Sequence, residues 1–439
     1  MGFRFIVPVL LLCTANVFAQ EDIYSNGLET GIGARAIGMG GAYSAVGEDY
    51  SASYWNPAAL AQIRRFELSG GLSHFIRKND ASFGNVTIQS DETFTKLTDL
   101  GIVYPVPTYR GSLVFAFGYN RVRTYDSNME FSFFDATPGD SVEYKWREQD
   151  LGTMNFWNAA AAVDLSPNFS VGMGLNFWSG GSDYSFSKKE TDIYDIWFED
   201  EWRNDQSINS NFSAFNMSLG ALFRVNNQLR LAANMVTPKT LTVTEQWSEK
   251  GSVIDDDGYS SLMYDENGDP IDYSGDFEYK LRTPFSFTLG AAYNLAGMML
   301  SGQMEFNDWQ QLRFETEPPI SGTTREQAND FIHENYRSTT RVRLGAEFTL
   351  PGMGTQLRAG YFLDPSIYEN AESDEDRKVY SFGLGFLLDK QLKLDIAYQF
   401  GNWKHYSVDP FGADANARVT SLQEDIKYKK LFATLSYRL

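Results

Sequence analysis

Residues 341–350 read RVRLGAEFTL. In this stretch, apolar residues occupy every second position: Val342, Leu344, Ala346, Phe348 and Leu350. A period of two gives a β-strand one apolar and one polar face. Residues 392–400, LKLDIAYQF, alternate in the same way. The pattern predicts amphipathic strands, which occur in a β-sandwich as well as in a barrel.

The lengths of the connections distinguish these two folds. Fourteen strands are predicted near 66–77, 97–107, 111–123, 150–164, 168–186, 211–225, 228–247, 276–294, 298–315, 337–350, 355–364, 378–388, 391–403 and 426–439. Six short links alternate strictly with seven long ones, near 78–96, 124–149, 187–210, 248–275, 316–336, 365–377 and 404–425. A sandwich has no need of this alternation, but an outer-membrane barrel has short periplasmic turns and long outer loops. We therefore predict an all-β protein, a 14-stranded antiparallel transmembrane β-barrel over residues 66–439.

The amino terminus resembles a secretion signal, which we assign to residues 1–19. Arg4 precedes the apolar run 5–13, and small residues at 17–19 suit cleavage before Gln20. Removing this segment removes the only cysteine, Cys13, so we expect neither disulfides nor cysteine-bound metal. The three histidines, at 74, 333 and 405, are scattered, and no cofactor or metal is expected.

The net charge of −20 argues against nucleic acid as a partner. Acidic residues concentrate in the predicted outer loops, as in 199–201 and 255–257. These groups are interpreted as solvated loop tips, with divalent-cation binding as the alternative.

Catalytic motifs are absent from the sequence. There is no G-x-S-x-G or H-E-x-x-H pattern, and Ser73 and His74, as neighbours on a strand, point to opposite faces. The run Gly31–Ala36 matches G-x-G-x-x-A but precedes antiparallel β-structure, so it does not indicate dinucleotide binding. We predict that the protein is not an enzyme.

A barrel of fourteen strands is too wide for its wall side chains to fill. Residues 20–65 precede the first strand, and we predict that they form a small hatch inside the lumen. Pro57 can open a short helix with Asn56 as its cap, and Trp55 is large enough to wedge against the wall. The glycines that allow close packing are Gly38, Gly40 and Gly41. Charged residues on the presumed lumen face are predicted to form ion-pair networks with the hatch: Arg341, Arg343, Glu347, Arg358, Lys393 and Asp395.

The sequence resembles a known family in four segments. RAIGMGGAYSAVGEDYSASYWNPAALA (35–61) is similar to the hatch of the FadL/TodX family of outer-membrane transporters for long-chain fatty acids and other hydrophobic compounds. Within it, Trp55 precedes an Asn56-Pro57-Ala58 motif. Three later segments are also similar: RTPFSFTLGAAYNL (282–295), FNDW (306–309) and RLGAEFTLPGMGTQLRAGYFLDPS (343–366).

The resemblance implies a route for substrate. It implies an outer groove formed by the third and fourth long loops, an inner pocket near the amino terminus, and a sideways exit at a kink in the third strand. The candidate groove residues are Ile193, Ile196, Trp197, Phe198 and Trp202, with a loop mini-core or interfacial aromatics as the alternative. The candidate kink is Ala116-Phe117-Gly118, since glycine marks strand irregularities, although Gly118 could instead relieve packing against the hatch.

The predicted function is passive uptake of hydrophobic small molecules across the outer membrane by a monomer surrounded by outer-membrane lipids and lipopolysaccharide. The acidic loops repel a fatty-acid carboxylate unless Lys188, Lys189 or Arg203 compensates, which favours a neutral compound. The alternative is a shuttle protein of a type IX-like secretion system that binds a secreted protein. An apolar path through the lumen favours transport, whereas a sealed lumen under a broad loop platform favours the shuttle.

Overall fold

The computed structural model describes residues 28–83, 86–137, 140–265, 267–320, 322–407 and 422–439. The predicted signal peptide and the start of the predicted hatch lie outside these residues. In the described residues, nineteen β-strands form one antiparallel sheet. The first strand pairs with the last, with Glu67 opposite Arg438, so the sheet closes into a barrel.

The strands are β1 (Glu67–Phe83), β2 (Val86–Val106), β3 (Leu113–Thr124), β4 (Ser127–Thr137), β5 (Asp140–Ser166), β6 (Phe169–Asp192), β7 (Glu199–Arg224), β8 (Leu229–Val236), β9 (Thr240–Asp255), β10 (Ser260–Leu262), β11 (Asp272–Arg282), β12 (Ser286–Leu295), β13 (Met298–Asp308), β14 (Arg313–Phe314), β15 (Ser338–Thr349), β16 (Thr355–Asp364), β17 (Arg377–Leu387), β18 (Leu392–Ser407) and β19 (Leu422–Arg438). Four pairs are consecutive halves of one pass through the wall: β3 with β4, β8 with β9, β11 with β12, and β13 with β14. β10 is a short addition to the end of β9. The wall therefore has fourteen passes, as predicted.

In the part of the chain that the structure describes, helices are few and short. They are α1 (Ala34–Gly38), α2 (Ala52–Trp55) and α3 (Arg325–Asn335), with 3₁₀ helices at Pro57–Gln62 and Trp309–Gln311. Among the described residues, none of these helices has the length and apolar character needed to cross a membrane.

The alternation in residues 341–350 separates two environments. Leu344 and Phe348 are 51% and 40% exposed on the outer surface of the barrel. Arg343 and Glu347 point the other way and are buried. The outer face is apolar because it meets lipid, and the inner face is polar, as expected of a transmembrane barrel.

Three of the predicted long loops, 78–96, 124–149 and 187–210, are largely strand in the described residues, which corrects the sequence-based boundaries. β6 continues to Asp192 and β7 begins at Glu199, so most of 187–210 is a β-hairpin. β5 has 27 residues, which at about 3.4 Å per residue is roughly 90 Å of strand. The apolar band of an outer-membrane barrel is only about 25 Å tall. The hairpins therefore project well beyond the membrane, held by backbone hydrogen bonds that need no apolar face.

Residues 28–65, called here the N-terminal segment, contact both sides of the barrel. α1 contacts β16, β17, β18 and β19, whereas the 3₁₀ helix Pro57–Gln62 contacts β3, β5, β6 and β7. Nearly every residue from Thr30 to Ala61 is buried. The segment thus bridges strands that lie far apart around the wall.

Candidate functional site

Four passes of the wall are interrupted next to one cavity. Passes three, seven and eight break at residues 125–126, 237–239 and 283–285, and pass nine turns at Trp309–Gln311. Pro238 and Pro284 lie in two of these breaks, where proline, which lacks a backbone N–H, cannot join the strand ladder. The cavity has a volume of about 140 Å³ and is bordered by residues of the last three interruptions and by Val122 and Arg123, which come shortly before the first.

The cavity is lined by both aromatic and charged side chains. The aromatic ones are Tyr54, Trp55, Phe156, Trp178 and Trp309, and the charged ones are Glu29, Arg123, Lys239, Glu305 and Arg341. The rings of Phe156 and Trp178 lie 4.5 Å apart, between centroids. The Lys239 ammonium lies 3.5 Å from the centroid of the Trp178 ring, so the ring face stabilises its charge.

Through Glu29, the N-terminal segment contributes to the charged side chains that line the cavity. The Tyr54 hydroxyl donates a 2.6 Å hydrogen bond to its carboxylate, and Arg123 lies 3.8 Å away. Burial acts to raise the pKa of Glu29, but the positive charges of Arg341, Arg123 and Lys239 outweigh burial and lower the pKa below its usual value. The carboxylate is therefore ionised at neutral pH.

The cavity reaches an irregular part of the wall. The ladder between β2 and β3 ends at the pair Asp99–Asn120. The register between β3 and β5 then shifts between Arg121 and Arg123, and in the described part of the chain β4 pairs only with β5. Val122 and Arg123, at this shift, line the cavity.

A further depression borders the same gap. It has a volume of about 510 Å³ and is lined in part by Phe94, Lys96, Asp126 and Leu151. Lys96 of β2 forms an ion pair with Asp126, which lies between β3 and β4. A side-chain contact therefore spans the gap where the backbone ladder has stopped.

The register of the third pass shifts between Arg121 and Arg123, and not at Ala116, Phe117 and Gly118, where the kink was predicted. Both ladders run through these three residues without a shift. Gly118 instead makes room for the N-terminal segment, because a Cβ built on it would lie 2.3 Å from the Tyr50 hydroxyl. That hydroxyl donates a 3.0 Å hydrogen bond to Asn120.

Asn56 and Pro57 begin a helix, as predicted, although it is a 3₁₀ helix. The Asn56 side chain accepts a hydrogen bond from the backbone N–H of Ala58 at 3.1 Å. Its amide nitrogen donates to the carbonyl oxygens of Ser44 at 2.9 Å and Ala221 at 3.2 Å. Since Ala221 belongs to β7, the motif joins the N-terminal segment to the wall.

Trp55 and the three glycines pack the opposite side of the segment. The Trp55 indole donates to the Ile32 carbonyl at 3.0 Å, and the Arg343 guanidinium lies 5.2 Å from its ring centroid. Gly40 has a φ of 66°, and a Cβ there would lie 2.7 Å from backbone atoms of Leu344 and Tyr361. Gly41 lies against Trp55, and Gly38 against Gly383. Only glycine fits such close backbone approaches.

The predicted ion-pair network is present. Arg35 of the N-terminal segment binds Glu347 at 2.7 Å, and Glu347 also binds Arg358 at 2.6 Å. Asp395 continues the chain to Arg358 at 2.8 Å and Lys393 at 3.2 Å. Two predicted members differ: Arg341 pairs with Glu305 and Asp364, and Arg343 lies over the Phe362 ring at 3.5 Å.

The predicted groove residues lie at the tip of the β6–β7 hairpin. Ile193, Ile196, Trp197 and Phe198 are exposed there, whereas Trp202 is half-buried within β7. The Asp192 carboxylate shapes the turn by accepting hydrogen bonds from backbone N–H groups, including those of Ile196 and Trp197 at 2.6 Å.

The same tip gathers three acidic residues. Carboxylate oxygens of Asp195, Asp200 and Asp256 all lie within 4.8 Å of one another. The pKa of Asp256 is raised, by partial desolvation and by the neighbouring negative charges. The tip is therefore apolar and negatively charged at once.

A closed fourteen-pass barrel, with an inner segment and a cavity in its lumen, has the architecture of outer-membrane transport proteins. The model of the outer membrane protein transport protein family (OMPP1/FadL/TodX) matches residues 29–438, and the chain belongs to this family. It is therefore an outer-membrane protein of a Gram-negative bacterium.

Solved structures show the same fold. The toluene transporter TodX of Pseudomonas putida has a TM-score of 0.63 and 13% identity, covering 94% of this chain and 99% of that one. A FadL homologue of Pseudomonas aeruginosa has a TM-score of 0.58 and 15% identity, over 94% and 98%. The toluene transporter TbuX of Ralstonia pickettii has a TM-score of 0.55 and 13% identity, over 94% and 99%. Among curated protein sequences, no significant match is found.

Proposed function

We propose that this protein takes up small, neutral hydrophobic molecules passively across the outer membrane. The molecule meets the apolar tip of the β6–β7 hairpin, moves into the cavity beside the N-terminal segment, and leaves sideways between passes two and three. In this proposal the N-terminal segment is a hatch that closes the lumen on the short-turn side of the cavity. The protein works as a monomer, with its apolar outer surface in lipid.

One observation carries the proposal: the lumen cavity ends at the gap in the wall. Val122 and Arg123 line the cavity, and they lie where the ladder between β2 and the third pass has stopped. In the described residues, pass two has no backbone pairing with the third pass beyond this point. Since a hydrophobic molecule gains free energy by entering lipid, an exit into the membrane suits it better than an exit into water.

Three observations favour a small neutral substrate. The cavity volume of about 140 Å³ is of the same order as an engineered cavity of about 150 Å³ that binds benzene. Two of the similar structures are those of toluene transporters. The carboxylates of Asp195, Asp200 and Asp256 at the hairpin tip repel an anionic fatty acid. No observation on the described residues favours the secretion-shuttle alternative.

The lateral exit is tested by bridging the gap. We would replace Lys96 and Asp126, which face each other across it, with cysteines and link them with a short bifunctional thiol reagent. The only native cysteine, Cys13, lies in the predicted signal peptide. Uptake of labelled toluene would be measured in Gram-negative cells that lack a transporter of this family. Uptake should fall to background after linking and return when the link is cleaved.

The matched control is the pair Ile102→Cys and Phe117→Cys, which are exposed partners in the regular part of the same ladder. Linking this pair should leave uptake unchanged. Full uptake with the gap linked would refute the lateral exit. Faster uptake of labelled oleate than of toluene by the native protein would refute the neutral substrate.

The hairpin tip is tested by replacing Trp197 and Phe198 with serine. Removing two exposed apolar side chains should lower uptake about threefold to tenfold at low toluene concentration, because capture weakens by about 1 kcal/mol. At saturating toluene the rate should be unchanged. Phe331→Ser, which removes an exposed aromatic side chain from α3, is the control. An equal loss in both variants would argue against a specific entry site.

A further inference from the structure

A third cavity lies among the short turns, at the end of the barrel opposite the tip of the β6–β7 hairpin. Its volume is about 440 Å³, and it opens to solvent between the end of the N-terminal segment and the mouth of the wall. Its lining consists of Glu48, Gln62, Ile63, Arg64, Arg65, Arg224, Arg230 and Arg438. Five arginines therefore surround one cavity in a chain whose net charge is −20.

The acidic groups near this cavity are already engaged. Arg64 and Arg224 share Asp164, at 3.4 and 3.3 Å. Arg438 binds the fully buried Glu67 at 2.6 Å. Glu48 binds Arg230 at 3.0 Å, and it also binds a sixth arginine, Arg35, at 3.3 Å. Among the described residues, three carboxylates thus serve five of the six guanidinium groups, and the cavity keeps an excess of positive charge.

Hydrogen-bond donors are also left over. Arg65 is exposed, and the described residues give it no ion pair or hydrogen bond. The Nη2 atom of Arg224 is buried without an acceptor. A guanidinium has five N–H donors in a planar fork, and this fork matches the oxygens of a phosphate group. These unpaired donors suit an anion with several acceptor oxygens.

We propose that this cavity binds a phosphate group. Phosphate fits better than a single carboxylate because it offers more acceptor oxygens to the converging guanidinium groups. Arg224, Arg230 and Arg438 lie on the inward-facing positions of their strands, alternating with exposed neighbours such as Phe223, Leu231 and Tyr437. The site therefore faces the solution at the mouth of the barrel. This proposal is independent of the proposed uptake function.

The test is direct binding to the purified full-length protein in a neutral detergent at constant ionic strength, with chloride as the competing anion. Inorganic phosphate and a short-chain phosphatidylglycerol would be titrated separately by calorimetry. Saturable binding of inorganic phosphate supports a site for free phosphate. Binding of only the phospholipid supports a site for a lipid headgroup. Absence of binding in both titrations overturns the proposal.

Variants show whether the binding belongs to this cavity. Arg65→Gln should weaken binding at least threefold, and the double variant Arg64→Gln, Arg65→Gln at least tenfold, because charge-assisted hydrogen bonds are lost. Arg65→Gln removes no contact within the described residues, so it tests the site even if the double variant fails to fold. Arg110→Gln is the matched control, since Arg110 is exposed at the same end and does not line the cavity. Equal binding by Arg65→Gln, Arg110→Gln and the native protein would overturn the assignment.

Discussion

The N-terminal segment packs very differently against two neighbouring parts of the barrel wall. Against β15, β16 and β17 it meets backbone directly: a Cβ built on Gly360 would lie 2.0 Å from the nitrogen of Gly40. Toward β8, β12 and β13 the segment borders the cavity of about 140 Å³. One side is held without any gap, and the other leaves room for a small molecule.

The charges differ in the same way. On the packed side Arg35, Glu347 and Arg358 form direct ion pairs. On the cavity side the ammonium of Lys239 contacts the Trp178 ring. The comparison teaches that one barrel can both fix an inner segment firmly and keep a route beside it, even where the two tasks fall on neighbouring strands of the wall. Three substitutions test this division.

The largest effect is expected for Glu347→Gln. The neutral side chain leaves Arg35 and Arg358 buried with too little negative charge, which should lower the free energy of unfolding by about 3–5 kcal/mol. Urea unfolding followed by tryptophan fluorescence measures this change. The control is Glu326→Gln, which removes a carboxylate from an exposed position on α3. Equal stability of the two variants would show that the packed side is not fixed by these charges.

A smaller loss is expected for Gly360→Ala, which places a methyl group against the backbone of Met39 and Gly40. Such overpacking costs about 1–3 kcal/mol. Gly302→Ala is the control, because a Cβ there meets only the flexible end of Leu344, at 3.5 Å. The same urea measurement applies. If both alanine variants have the same free energy of unfolding, the close approach of the segment to β16 does not contribute to stability.

The smallest change in stability is expected for Asn234→Trp on the cavity side. Asn234 lines the cavity, and its Oδ1 has no hydrogen-bond partner, so the larger ring enters free space and should change stability by less than about 1 kcal/mol. Toluene uptake should nevertheless fall about tenfold, because the cavity is filled. Ala233→Trp, on the outer face of the same strand, should leave uptake intact. Normal uptake by the Asn234 variant would place the route elsewhere.

The membrane part of the fold was predictable because lipid imposes a simple rule. Each outward position within the apolar band must be apolar, so Leu344 and Phe348 reveal their strand by spacing alone. Beyond the band, both faces of a hairpin meet water, and residues 182–187, SDYSFS, are mostly polar. The strand continues there through its backbone ladder, which leaves no periodic signal. The predicted loops were therefore too long.

The cavity was less predictable because its residues come together only in the folded chain. Glu29 and Lys239 are 210 positions apart, and no motif marks either of them. Pro238 and Pro284 were available signals, since each proline interrupts a predicted strand beside the cavity. The shift at Val122 had no such signal, because neither glycine nor proline occurs there and the nearby Gly118 serves to accommodate Tyr50.

The closure of the sheet has a consequence for assembly. β1 pairs with β19, and the backbone nitrogen of Ala34 donates to the Thr434 hydroxyl, 400 positions later. Arg35 likewise pairs with Glu347, which lies 312 positions later in the chain. The N-terminal segment therefore emerges first during synthesis but acquires these partners last. Insertion must keep the segment within the closing wall, and a chain that lacks its final strands can neither seal the barrel nor provide Ala34 with its acceptor.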